Sequence, residues 1–175
     1  AGLIFAGQRI DSELPAWQMP QGGIDDGEYP RDAAMRELWE ETGGTTDLVS
    51  VRAQTDDWLT YELPHNIIPR LWKGRFKGQK QWWCLLQFVG QDADIQLETD
   101  HPEFSEWRWI GPDEMLESIV PFKRDLYRQV IDYFRIHLNR DRLSSICMRS
   151  DSAIAAEYRM RNSQTESSRQ NSVTF

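Results

Sequence analysis

Leu126, Val130, Phe134 and Leu138 recur at four-residue spacing and draw one apolar stripe, which predicts a long amphipathic helix. Upstream, residues 81–89 are a run of Trp, Leu, Phe and Val too apolar to face water on both sides, and they predict a central strand. Shorter patterns fill the rest. Residues 3–6 form an apolar strand and 8–15 a polar loop, after which Trp17 and Met19 alternate with polar neighbours as a strand leading to Gly22 and Gly23. Residues 48–54 alternate as a strand, and 58–63 form another that Pro64 stops. Pro64, Pro69, Gly74 and Gly78 punctuate a loop over 64–80. A polar, acidic connection over 90–102 holds Ile95 and Leu97, residues 104–110 form a strand, and 111–114 open a short helix. Between Pro30, suited to a first helical position, and the pair Gly43 and Gly44, suited to a helix end, a helix is predicted over 30–42. Helices on both sides of a mixed sheet make the fold an α/β/α sandwich.

At Asn139 the pattern gives way to Ser, Arg, Asn and Gln with no sustained period. The expected organisation is one domain over 1–138 and a polar, disordered extension over 139–175. The chain also opens inside what reads as a strand, Gly-Leu-Ile-Phe-Ala-Gly, so it is expected to be a fragment with its first strand missing or truncated.

Composition narrows the function. Of the 175 residues, 39% are apolar and eight are Trp, enough for a real core, while a mean hydropathy of −0.64 leaves room for a polar tail. Net charge is −8; six Arg against four acids give residues 139–175 a charge of +2, so the first 138 carry −10. So acidic a domain is not a general nucleic-acid binder, and no specific DNA binding is expected. Arg70, Lys73, Arg75, Lys77 and Lys80 form a local exception, a basic patch in the 64–80 loop. Cys84 and Cys147 fit neither a disulfide framework nor a zinc knuckle, and Cys84 reads as a small core residue. No apolar run approaches a membrane span and no secretory signal is visible, so the expected location is the cytoplasm, or an organelle if a targeting segment precedes Ala1.

The candidate chemistry lies on the 30–42 helix. At about 100° per residue, Glu37, Glu40 and Glu41 share one arc, with Arg36 at its edge beside Glu40. Neighbouring carboxylates about 5 Å apart repel by about 1 kcal/mol in water and by more where they are partly buried. A hard divalent cation relieves this, and Mg²⁺ is usually held jointly by carboxylates and substrate phosphates.

The spacing of the segment resembles the signature of the Nudix hydrolases, G-x5-E-x7-R-E-U-x-E-E-x-G-U with U aliphatic. Gly22, Glu28, Arg36, Glu37, Leu38, Glu40, Glu41 and Gly43 match it, and Gly44 departs at the last aliphatic position. The segments WQMPQGGIDDGE, WLTYELP, KGQKQWWCLLQF, HPEFSEWRWI and IVPFKRDLY, in order over about residues 2–138, resemble the RNA pyrophosphohydrolases and related dinucleoside polyphosphate hydrolases of that family. Members usually begin some twenty residues earlier, with a Gly-Tyr-Arg-Pro-Asn stretch, a first strand and an Arg near the phosphates. The resemblance implies a Nudix-type sandwich in which Glu37, Glu40, Glu41 and Glu103 hold Mg²⁺, with Mn²⁺ as a substitute. Glu28 and Arg36 support the loop and helix, together with the motif glycines Gly22, Gly23 and Gly43. Arg9 matches a phosphate contact, Gln79 and Lys123 match polar contacts near the nucleotide, and Phe122 matches an aromatic for base stacking. The implied reaction is Mg²⁺-dependent hydrolysis of a phosphoanhydride, with the proton taken by Glu40, Glu41 or Glu103. The expected substrate is a 5′-triphosphate RNA end converted to a 5′-monophosphate. The alternatives are a dinucleoside tetraphosphate hydrolase and a non-catalytic module that binds nucleotides or RNA ends. The sequence does not give the oligomeric state.

Overall fold

The computed structural model describes residues 2–11, 16–64, 78–100, 102–141 and 144–151. Among the described residues, eight strands form one mixed sheet: β1 (Leu3–Arg9), β2 (Trp17–Gln18), β3 (Gln21–Gly23), β4 (Val49–Gln54), β5 (Leu59–Glu62), β6 (Gly78–Phe88), β7 (Phe104–Ile110) and β8 (Ser144–Asp151). The main path runs β2-β1-β8-β6-β4, with β7 on β1, β5 on β6 and β3 on β8. Three α-helices cover it: α1 (Pro30–Thr42), α2 (Pro112–Ser118) and α3 (Arg124–Asp141).

Alternation along the strands splits the core into two layers. Ile4, Ala6, Trp83, Leu85 and Cys147 pack with α2 and α3, where the stripe Leu126, Val130, Phe134 and Leu138 is buried as expected. Phe5, Cys84, Leu86 and Ile146 face the other way, onto Ala34 and Leu38 of α1. The α/β/α sandwich follows directly from this two-sided burial. Cys84 and Cys147 lie in opposite layers and are free thiols; burial pushes them up to about 11 and about 12, so both behave as inert core residues.

Helix α1 begins and ends where the sequence predicts. Pro30 occupies its first turn, and Gly43 closes it in the left-handed region at φ 64°, with its N–H bonded to the Trp39 carbonyl at 2.9 Å. Ala33, Ala34 and Leu38 are buried, while Trp39 lies open to solvent.

Residues 139–141 and 144–151 depart from expectation, while the rest of the expected extension, 142–143 and 152–175, lies outside the described residues. A polar extension is expected from Asn139, yet α3 continues to Asp141 and β8 enters the middle of the sheet. It runs antiparallel to β6, from Trp82↔Ser150 to Gln87↔Ser145, and parallel to β1 through Leu3↔Ser144 and Ile4↔Ser145. Hydrogen-bonding edges on both sides override a weak propensity, since a central slot rewards backbone pairing whatever the composition. Among the described side chains of β8, Ile146 and Cys147 are the apolar ones in the two layers, too short a run to show as a pattern. Further along, β8 pairs in parallel with β3, from Gln21↔Arg149 to Gly23↔Asp151. The last described strand therefore supports the turn that leads into α1.

Phe134 is fully buried at the centre of the α3 stripe. Phe134→Ala is expected to cost about 3–5 kcal/mol through lost transfer energy and the cavity left behind. On the same helix the 70% exposed Ile136, changed to Ala, is expected to stay within about 0.5 kcal/mol. Urea unfolding of the two variants measures the difference.

Candidate active site

A single guanidinium ties the approach loop to the helix. Arg36 donates from Nε to Glu28 Oε1 at 3.0 Å and from Nη2 to Glu28 Oε2 at 2.8 Å, a two-point fork, and Nη2 also reaches the Gly23 carbonyl at 2.9 Å. Glu28 in turn accepts from the Asp25 backbone N–H at 3.0 Å, so the turn after β3 is closed upon itself. These bonds, led by that from Arg36, hold the Glu28 carboxyl below its ordinary range. Gly22 has a steric role: a Cβ there would fall inside the Glu37 side chain, so a larger residue would push the Glu37 carboxylate out of its place.

The three helix carboxylates lie at graded depth. Glu40 is the most open, 3.4 Å from Arg36 Nη1; Glu37 is mostly covered, with Oε1 at 2.7 Å from the same nitrogen. Glu41 is 2% exposed. Its Oε2 accepts the Gln21 backbone N–H at 3.1 Å, and its Oε1 is buried without a hydrogen-bond partner. Burial raises the Glu41 pKa well above the ordinary value, and the neighbouring carboxyl of Glu103, with the charge of Glu37, adds to the shift. Glu37 is also raised, by burial first, against the opposing pull of Arg36.

Glu103 arrives from the segment before β7. It joins the cluster beside Glu41, and its Oε2 accepts from Arg9 Nη1 at 2.6 Å. Arg9, Ile10, Asp11, Asp100, Pro102 and Glu103 line an open cleft of about 370 Å³. The four predicted carboxylates thus couple electrostatically. Among the described residues, however, no three are gathered as a ready ligand set for a metal ion. Arg36 engages oxygens of Glu37 and Glu40, and Arg9 engages one of Glu103. The donors still fit a hard divalent cation. All are carboxylate oxygens, and Glu41 Oε1 is a buried acceptor with no hydrogen-bond partner.

The residues expected near the nucleotide gather on the other layer. Gln79 Oε1 accepts from Tyr61 Oη at 2.7 Å, and the Tyr61 ring leans on Phe122 with centroids 6.1 Å apart. Lys123 follows Phe122 in the turn before α3, and its charge reaches Asp11 on the cleft with Arg9. Of the basic patch, Lys80 begins β6 with Gly78 and Gln79, while Arg70, Lys73, Arg75 and Lys77 lie outside the described residues. Sequence reasoning missed two participants. Gln21 acts through its backbone N–H, which no side-chain pattern reveals, and Asp11 grips Arg9 from two residues away, where an Arg-x-Asp spacing at a strand end was the available signal.

A glycine turn, a carboxylate-bearing helix and a mixed sheet in this order define a Nudix hydrolase domain. The NUDIX domain model matches residues 2–130, and the chain belongs to the Nudix family, whose members generally work with a divalent cation, commonly Mg²⁺. The chain is 65% identical over 134 residues to the RNA pyrophosphohydrolase of Dinoroseobacter shibae, covering 77% of this chain and 84% of that protein. It is 56% identical over 137 residues to the RNA pyrophosphohydrolase of Roseobacter denitrificans, covering 78% and 86%. Among solved structures, the crystal structure of a C. elegans Ap4A hydrolase binary complex shares the fold, with a TM-score of 0.54 at 22% identity over 75% of this chain and 85% of that one. Among the described residues, no helix is long and apolar enough to cross a membrane.

The buried carboxyl group has a consequence for stability. Between the ordinary Glu value of 4.5 and the raised folded-state value, the folded chain binds a proton at Glu41 that the unfolded chain does not. Stability of the metal-free protein therefore falls as pH rises through that window. Glu41→Gln is expected to raise the thermal midpoint at neutral pH in the presence of chelator and to make the pH dependence shallower; thermal melts from mildly acid to mildly alkaline pH check both.

Proposed function

We propose that the chain is a Mg²⁺-dependent pyrophosphohydrolase that converts the 5′-triphosphate end of RNA to a 5′-monophosphate. The observation that carries this reading is the buried, unpartnered Glu41 oxygen among three further carboxylates, in a chain so similar to proteins named RNA pyrophosphohydrolase. Glu37, Glu40, Glu41 and Glu103 are the residues that would hold the cation. A divalent cation, when bound, neutralises phosphate charge and lowers the pKa of water.

The chain's own groups supply the rest. Arg36 keeps Glu28 and Gly23 against α1, so the carboxylates stay in position before any ligand arrives. Arg9, half-buried on the cleft beside Glu103, contacts the phosphates. Gln79 and Lys123 contact the nucleotide, and Phe122, leaning on Tyr61, offers a face on which a base can stack. Water attacks one phosphorus of the scissile anhydride, the bridging oxygen leaves with the other to give pyrophosphate and the 5′-monophosphate, and the proton passes to a carboxylate. Glu103 is the acceptor we assign, ahead of Glu40 because it lines the open cleft together with Arg9, and ahead of Glu41 because Glu41 is buried.

Glu40→Gln and Glu41→Gln are each expected to remove most turnover of triphosphorylated RNA while leaving the circular dichroism of the fold unchanged. Glu103→Gln is expected to lower kcat by about 100-fold or more. Hydrolysis in ¹⁸O water identifies the phosphorus attacked, and diadenosine tetraphosphate under the same conditions tests the neighbouring specificity. Full turnover in both helix variants would overturn the assignment in favour of a binding module.

A further inference from the structure

Two carboxylates divide one guanidinium at the mouth of the cleft. Arg9 donates from Nε and Nη2 to the two oxygens of Asp11 at 2.6 and 2.8 Å, and from Nη1 to Glu103 at 2.6 Å. The Asp11 contact is the bidentate geometry that holds a guanidinium in one plane, and Asp11 makes it from a largely open position, with 67% of its side chain exposed against 22% for Arg9. Lys123, on the nucleotide side, also acts on the Asp11 charge. Asp11 therefore stands between the cation beside the carboxylates and the cation beside Phe122.

We propose that Asp11 is a positioning residue for polyphosphate recognition. By holding the Nε–Nη2 edge of Arg9, it leaves the guanidinium joined to Glu103 through one donor, which an incoming phosphate can take over. Without Asp11 the two-donor edge is free to turn onto Glu103 and form the stronger fork there. A phosphate then has to displace two charge-assisted bonds instead of one. The inference rests on the reading of Arg9 as a phosphate contact.

The sign of the effect separates this role from plain electrostatics. Asp11 is a negative charge beside the site of a polyanion, so Coulomb's law alone makes its removal favour polyphosphate binding. An exposed ion pair without a positioning role would leave binding close to unchanged. Only the orientation of Arg9 makes the loss of this carboxylate unfavourable.

The test uses the full chain as wild type, Asp11→Asn, Asp11→Glu, Arg9→Ala and the Arg9→Ala/Asp11→Asn double variant. Calorimetric titration with inorganic tripolyphosphate in the presence of Mg²⁺ reads binding without turnover, and steady-state kinetics on triphosphorylated RNA separate KM from kcat. Asp11→Asn is expected to weaken tripolyphosphate binding and raise KM about tenfold, with kcat little changed. Asp11→Glu is expected to restore most of the loss, and Asp11→Asn is expected to add nothing once Arg9 is gone. Equal or tighter binding in Asp11→Asn, additive effects in the double variant, or no tripolyphosphate binding by the wild type would each overturn the proposal. A wild type that binds tripolyphosphate in this Asp11-dependent way yet leaves triphosphorylated RNA uncut would instead overturn the hydrolytic reading and leave the role of Asp11 standing.

Discussion

Arg36 lets three glutamates share one short ridge of helix. Its guanidinium spends one edge on Glu28 and Gly23, outside the helix, and the other on Glu37 and Glu40, within it. Without it, like charges at neighbouring helical positions would oppose the helix that carries them. Because the same cation also anchors the turn after β3, relief of repulsion and placement of the loop are one interaction. A lysine could relieve the charge, but it lacks the planar fork that bridges two elements.

Relief is incomplete by construction. Arg36 reaches Glu37 and Glu40, while the carboxyl of Glu41 is turned inward, toward the Gln21 N–H and Glu103. Glu41 is thus kept from water and out of the Arg36 ion pairs, with the charge of Arg9 acting on it only through space, at a cost the two apolar layers must offset. β3 sets this depth, and it lies in place because Gly22 permits close approach and because β8 pairs along it. The acidic site is therefore coupled to residues more than a hundred positions away in sequence.

Legibility followed the range of the forces involved. Helix α1 could be read because its ends are written locally, in Pro30 and Gly43, and because the spacing of its carboxylates is a property of any helix. The α3 stripe was legible for the same reason. The Arg36 fork with Glu28 was accessible only through the family signature, since seven residues of turn and helix lie between the partners. The depth of Glu41 was not legible, because helical spacing places it beside Glu40 and only tertiary packing distinguishes the two. Strand β8 escaped notice because a slot between β1 and β6, not its own composition, makes it a strand. Asp11 passed as an ordinary loop acid because its meaning lies in the guanidinium it grips.

The distribution of arginines explains why an acidic domain can serve a polyanionic substrate at all. A chain of net charge −8 repels phosphate at long range, so attraction has to arise within about a Debye length, where individual ions dominate. The site offers two kinds of positive charge at that range. Arg36 is consumed by structure: with four hydrogen-bonding partners and the Asp25 carboxylate 3.9 Å away it has little capacity left for a ligand. Arg9 also pairs with carboxylates, but it lies on the cleft, and one of its partners belongs to the cluster that a cation would neutralise. On the proposed reading, a Glu103 turned toward a cation would leave the Arg9 donor without a competitor. Cation and phosphate would then favour each other's binding, because each would remove what holds the other off.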